Sequence, residues 1–208
     1  MRNSVIAEQN RYLLQRQREF RMAADVVTDA WMRFEEVRAV AVIGSVAVLL
    51  WKEVPRFSEF RREGIEVWHE CHDLDLALWL ESQHRLGELR RATGHALRTA
   101  FESGAGISIV PHQLDVFLFE PETDNYLGRL CSFSRCPKDK ADCLAPGCGA
   151  IPSNKRVMGF EPRADLLAPA AGAMLYERGK GRLRSALDLP TVADERPLRR
   201  KKSSPQTE

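Results

Sequence analysis

Two short apolar runs, each with aspartate at its entrance, constrain this chain more than any other feature. One is Asp73-Leu74-Asp75-Leu76-Ala77-Leu78-Trp79-Leu80; the other is Leu114-Asp115-Val116-Phe117-Leu118-Phe119. Apolar runs of this length read as buried strands. Residues two apart on a strand share a face. Asp73 and Asp75 therefore project side by side, while Leu74, Leu76 and Leu78 face a core. Neighbouring carboxylates repel each other unless a cation sits between them, and hard oxygen donors at that separation suit Mg²⁺. Asp115 on an adjacent strand completes a three-carboxylate edge. Such an edge suits two metal ions and in-line displacement at phosphorus.

A third apolar run lies upstream. Ala39 to Ile43 reads as a buried strand that ends at Gly44-Ser45, with Val46 to Lys52 starting a helix that Pro55 disrupts. Gly44 permits close backbone approach to a phosphate, and Ser45 adds a hydroxyl at a helix N-terminus, where anions are favoured.

The order "VIGS … DLDLAL … QLDVFLF" resembles the nucleotidyltransferase superfamily, whose fold is shared with DNA polymerase β and the minimal bacterial nucleotidyltransferases. That family's pattern is a Gly-Ser turn, an Asp-x-Asp flanked by apolar residues, and a third Asp on a later strand. Gly44, Ser45, Asp73, Asp75 and Asp115 match it, over roughly residues 37–120. The resemblance implies an α/β (α+β) mixed sheet flanked by helices. It also implies Mg²⁺-dependent transfer of a nucleoside monophosphate from an NTP, with pyrophosphate released. In that case Ser45 contacts the terminal phosphates, and Asp73 and Asp75 bind the metal ions. Asp115 binds the catalytic metal and helps deprotonate the attacking hydroxyl. The interval 46–72 is longer than in the minimal members, and residues 53–69 read as an insertion.

Around that core (37–120) the chain divides into four further segments. Residues 1–36 read as an N-terminal packing helix over 5–36, with Phe20, Ala24, Val27, Trp31 and Phe34 on one apolar stripe. The helix could also serve a protein partner or self-association. Ser82 reads as the N-cap of a helix through Leu86, Leu89, Thr93, Leu97 and Phe101, with Gly104 at its C-terminus. Ile107 to Val110 reads as a short strand. Residues 121–160 form a Cys-rich segment, 161–190 a C-terminal segment that is helical from Ala164 to Arg178, and 191–208 a disordered basic tail.

Cys131, Cys136, Cys143 and Cys148 are spaced C-x4-C-x6-C-x4-C among prolines and glycines. Four thiolates so close in sequence can supply a tetrahedral structural Zn²⁺ site. Two local disulfides, free thiols or an iron–sulfur cluster are the alternatives. Cys71 stands apart as a small, semi-buried side chain. The five cysteines are odd in number, which argues against a complete disulfide framework. His69 and His72 precede the Asp-x-Asp and read as ordinary polar residues or as phosphate contacts; His112 is an alternative zinc ligand. Lys155 and Arg156 are candidate phosphate contacts, and Arg199 to Lys202 a weak nucleic-acid arm.

Charge bears on the function class. With 31 Lys+Arg against 29 Asp+Glu, the chain is not built mainly to coat nucleic acid. The N-terminus has no apolar signal-like region, and the longest apolar run, Ala39 to Trp51, is too short to span a membrane. A cytoplasmic protein is expected. The acceptor of the transferred nucleotide is left open among small molecules, nucleic acids and proteins. Two rival readings are a non-catalytic nucleotide-sensing or partner-binding relative and a zinc-containing nucleic-acid-binding module.

Overall fold

The three apolar runs become the three central strands of one sheet. In the computed structural model, residues 2–51, 62, 68–132, 151–155, 160–163 and 165–194 are described. Helix α1 (Arg2–Trp31) leads into β1 (Val37–Ile43) and the single helical turn α2 (Gly44–Ala47). Then come β2 (Leu74–Leu80), α3 (Leu86–Glu102), β3 (Leu114–Phe119), β4 (Tyr126–Leu130), β5 (Asn154–Lys155), β6 (Gly172–Glu177) and β7 (Gly181–Arg182). The seven-stranded sheet has the order β5-β4-β3-β2-β1-β6-β7. It is mixed: β2 and β3 are parallel and every other pair is antiparallel. Parallel neighbours need a crossover, and α3 supplies it. The protein is thus mixed α/β.

The strands are apolar almost throughout because both faces are covered. Val40, Val42, Leu74, Leu76, Leu78, Leu80, Leu114, Val116 and Leu118 join the main core with Phe20, Val27 and Trp31 of α1 and Leu86, Leu89 and Leu97 of α3. Trp31 ties the two helices, its Nε1 donating to Thr93 Oγ1 at 3.0 Å. On the other face Ala39, Ala41, Ile43, Ala77, Trp79, Phe117 and Phe119 form a second cluster, with Tyr126, Phe160 and Met174 against it.

The N-terminal stripe packs as expected, with Phe20, Ala24, Val27 and Trp31 buried. The helix stops at Trp31 rather than residue 36, because the Trp31 carbonyl takes the Phe34 N–H in a turn and Phe34 in turn accepts from Val37. Gly104 (φ +74°) follows α3 as expected. Its N–H bonds Phe101 O and that of Ala105 bonds Ala100 O, which closes the helix in a Schellman motif. Ser82 does not cap α3: its hydroxyl accepts from His84 N in the preceding turn, and Arg85 holds the cap position with no side-chain bond. Residues 107–110 form no strand; they run irregularly into a 3-10 turn at Pro111–Gln113.

The helix expected over Ala164 to Arg178 is replaced, in its second half, by the strand Gly172–Glu177. Pro169 and Gly172 break helical continuity, and the free edge of β1 offers a ladder for β6 to complete. Gly172 fits there because it has no Cβ: one would lie 2.8 Å from Ile43 Cγ2 and 3.0 Å from the Val42 carbonyl. The Arg178-Gly179-Lys180 turn then returns the chain as β7. The sheet is therefore not confined to residues 37–120, since β4 and β5 extend one edge and β6 and β7 the other. The start of the tail is also ordered, with Val192 buried and Thr191 bonded to Asp194.

Of the cysteine cluster, Cys131 is buried and its N–H bonds Ser153 O at 2.8 Å. Cys136, Cys143 and Cys148 lie outside the described residues, as do Arg156 and Arg199 to Lys202. The zinc expectation therefore falls largely outside them. Among the described residues no helix is long and apolar enough to cross a membrane.

Candidate active site

Strand register brings the three aspartates together. β2 and β3 run parallel with Asp75 directly beside Asp115 and Leu74 beside Leu114. Asp73 precedes β2 by one residue and lies on the Asp75 side of the chain. One carboxylate oxygen from each of Asp73, Asp75 and Asp115 can be chosen so that all lie within 4.8 Å of one another. Asp73 is exposed; Asp75 and Asp115 are half-buried. The expected cluster is present, at the entrance of two buried strands whose opposite face is held by the helices.

Crowding changes the chemistry of one member. Asp75 is pushed up to about 7, first by burial, then by the charges of Asp73 and Asp115, with Arg129 pulling the other way. A carboxyl so placed is a poor anion alone and a good ligand once a cation is present. Three convergent oxygen donors, with their mutual repulsion unrelieved, fit a hard divalent ion such as Mg²⁺.

Gly44-Ser45 sits across from this cluster. Ile43, the last residue of β1, pairs with Asp75. Gly44 follows at φ +69°, and a Cβ there would collide with Asp75 Oδ2. Only glycine combines that backbone with that proximity. Gly44 N donates to Ala171 O at 3.0 Å, so the segment before β6 braces the turn. From α1, Arg21 Nε donates to Val46 O at 3.0 Å and Gln17 Nε2 to Val48 O at 2.8 Å. These bonds take the carbonyls that would have continued α2, which ends at Ala47 rather than running on toward Lys52. Arg21 is itself buried and also donates to Leu189 O and Pro190 O. Helix α1 thus fixes the Gly-Ser turn from behind.

Arg129, like Arg21, escaped sequence reasoning. Arg129 Nη1 is 2.9 Å from Asp115 Oδ2. Its guanidinium lies over the rings of Phe117 at 4.4 Å and Phe160 at 4.5 Å, which hold it flat. The available signal was a charged residue within the short apolar run Tyr126–Leu130. Lys155 is in register with Arg129 on the next strand and is exposed. The carboxylates therefore have a cationic flank toward the β5 edge. Cys71 is buried and hydrogen-bonds with Ser45. Burial pushes its thiol up, Ser45 and Arg21 pull it back, and Asp73 and Asp75 add to the rise. His72 and His112 are exposed. His69 N donates to Leu50 O at 2.8 Å, so the chain on either side of residues 51–68 meets at one backbone bond.

No family model, no curated protein and no solved structure matches this chain.

Proposed function

We propose that this protein is a nucleotidyltransferase-like enzyme that moves a nucleoside monophosphate from an NTP to a hydroxyl acceptor. The observation that carries the reading is the convergence of Asp73, Asp75 and Asp115 opposite the Gly44-Ser45 turn. Metal-dependent phosphoryl chemistry calls for such a donor set: clustered oxygen ligands beside a backbone that a phosphate can approach closely. The sequence resemblance to the superfamily points the same way.

In this reading the acceptor oxygen bonds the α-phosphorus, the bond to the β,γ-unit breaks, and pyrophosphate leaves. Bound by Asp73, Asp75 and Asp115, Mg²⁺ would supply neutralisation of the charge on the transferring group. Asp115 accepts the hydroxyl proton. Arg129 keeps Asp115 oriented through its 2.9 Å contact. Ser45 receives the terminal phosphates beside the Gly44 turn. Lys155 adds a positive charge on the flank where Arg129 already lies.

The test is pyrophosphate release from a panel of NTPs with Mg²⁺ or Mn²⁺, with cell extract as the source of acceptor. Wild type is compared with Asp73→Asn/Asp75→Asn. Metal-dependent release that the double variant loses is the expected result. A folded wild-type protein that releases no pyrophosphate from any NTP overturns the reading and leaves a non-catalytic nucleotide-binding relative in its place.

A further inference from the structure

A second concave surface lies on the helix side of the sheet. Residues of α3 and the segment 108–111 line a groove of about 530 Å³, with Ser132 also in its lining. Arg91, His95, Arg98 and Phe101 follow one another at three- and four-residue steps, so they share one face of α3, with Gly94 beside His95. Arg91, His95 and Arg98 are exposed, and Arg90 contributes a third guanidinium to the lining.

The charge is of one sign. Among the described residues the lining holds three arginines and a histidine and no carboxylate. The acid that approaches it, Glu19, accepts a hydrogen bond from Ser108 and is already paired with Arg16 at 3.3 Å. Arg90 Nη1 is buried with no hydrogen-bond partner among the described residues. A buried guanidinium donor left unused is costly. The lining also carries large apolar groups facing solvent: Phe101 is 66% exposed and Val110 40%. Cations that track a backbone, beside an aromatic face, are the recognition chemistry of single-stranded nucleic acid. A free carboxylate ligand would use the charges and leave Phe101 idle.

The groove's position gives it a further meaning. Its wall at Val110-Pro111 passes through the turn Pro111–Gln113 directly into β3, which carries Asp115. Ser132, at the other wall, closely follows β4, which carries Arg129. One wall thus leads to the strand that presents Asp115, and the other comes from the strand that presents its partner Arg129.

We infer that this groove binds the phosphodiester backbone of a single-stranded nucleic acid, Arg91 and Arg98 holding phosphates and Phe101 stacking on a base. That a strand seated there is the hydroxyl acceptor rests on the transferase reading above; the binding itself does not.

The experiment is fluorescence anisotropy with 5′-fluorescein-labelled oligo-uridylate and oligo-thymidylate, without NTP or divalent metal, over a range of salt. Wild type is expected to bind, with affinity falling as salt rises. Arg91→Gln/Arg98→Gln is expected to bind about tenfold more weakly, with a salt slope smaller by about 1.4. Phe101→Ala is expected to lose about tenfold with the slope unchanged. These side chains are exposed, and a circular-dichroism melt of each variant checks that it is folded. The two oligonucleotides distinguish RNA from DNA. No binding by wild type, or equal binding by the arginine variant, overturns the inference. So does a polyglutamate peptide that competes as well as the oligonucleotide, or ATP that displaces it at equal phosphate concentration. Asp73→Asn/Asp75→Asn is expected to bind at least as tightly as wild type. Binding by a wild-type protein that itself releases no pyrophosphate from any NTP upholds the groove while overturning the transferase reading.

Discussion

Replacing Asp75 with asparagine should stabilise the metal-free protein, and by an amount that depends on pH. Asp75 is held up to about 7 from an ordinary 3.8 by burial and by Asp73 and Asp115. At ~1.4 kcal/mol per pH unit, its ionised form is disfavoured in the fold by on the order of 4 kcal/mol. The sign follows from linkage. The folded state keeps a proton that the unfolded chain has lost, so this stabilisation is complete below about pH 3.8 and is lost as pH rises to about 7. Asparagine has nearly the same shape and does not titrate. The stability gap between Asp75→Asn and wild type should therefore widen between pH 5 and pH 8 by about 2–3 kcal/mol. For a chain of this size that is roughly 4–12 °C in Tm. Urea or thermal unfolding in chelator, at both pH values, measures it, and pH effects shared by the two proteins cancel in the comparison. Mg²⁺ at pH 8 should raise the Tm of wild type and leave that of Asp75→Asn nearly unmoved. A gap that is constant with pH would refute the argument, because Asp75 would then be neither desolvated nor crowded by its neighbours.

Two further outcomes follow from how the turn beside the cluster is held. Gly44→Ala forces a side chain into a left-handed backbone and against Asp75 Oδ2, so it should lose about 1–3 kcal/mol of stability and abolish the Mg²⁺-induced rise in Tm; a variant that keeps that rise would show the contact to be slack. Arg21→Met strips donors from Val46, Leu189 and Pro190, and at about 1–3 kcal/mol for each buried acceptor left unpaired the urea midpoint should fall by the equivalent of ~3 kcal/mol or more, whereas an unchanged midpoint would mean that water replaces the guanidinium without loss.

The parts of the site that sequence made legible are those governed by local rules. The alternation of Leu74, Leu76 and Leu78 with Asp73 and Asp75 fixes which way the carboxylates point. The same logic applied to Asp115 places it on the matching face. Arg129 depends instead on β4 lying antiparallel to β3, a long-range pairing that no spacing announces. Arg21 reads locally as one more charge on a solvated helix face, yet it is buried because the α2 turn and the Leu189–Pro190 carbonyls come to it. The strand Gly172–Glu177 was hidden for a similar reason. Its Ala173, Met174 and Leu175 suit a helix, and the open edge of β1 decides otherwise. The Gly-Lys-Gly at 179–181 was the one local sign of a returning hairpin.

The single backbone bond between His69 and Leu50 has a consequence for how such a chain can vary. The carboxylates stand on one side of that bond and the Gly-Ser turn on the other, and their relation is set by the β1–β2 pairing. Residues 51–68 leave and re-enter at adjacent points. The entropy of closing such a segment grows only with the logarithm of its length. The spacing of the site is thus carried by strand pairing rather than by the length of chain between Trp51 and Trp68, which themselves pack against the main core. A peptide, affinity handle or reporter domain grafted between those two tryptophans should leave the two halves meeting in the same place.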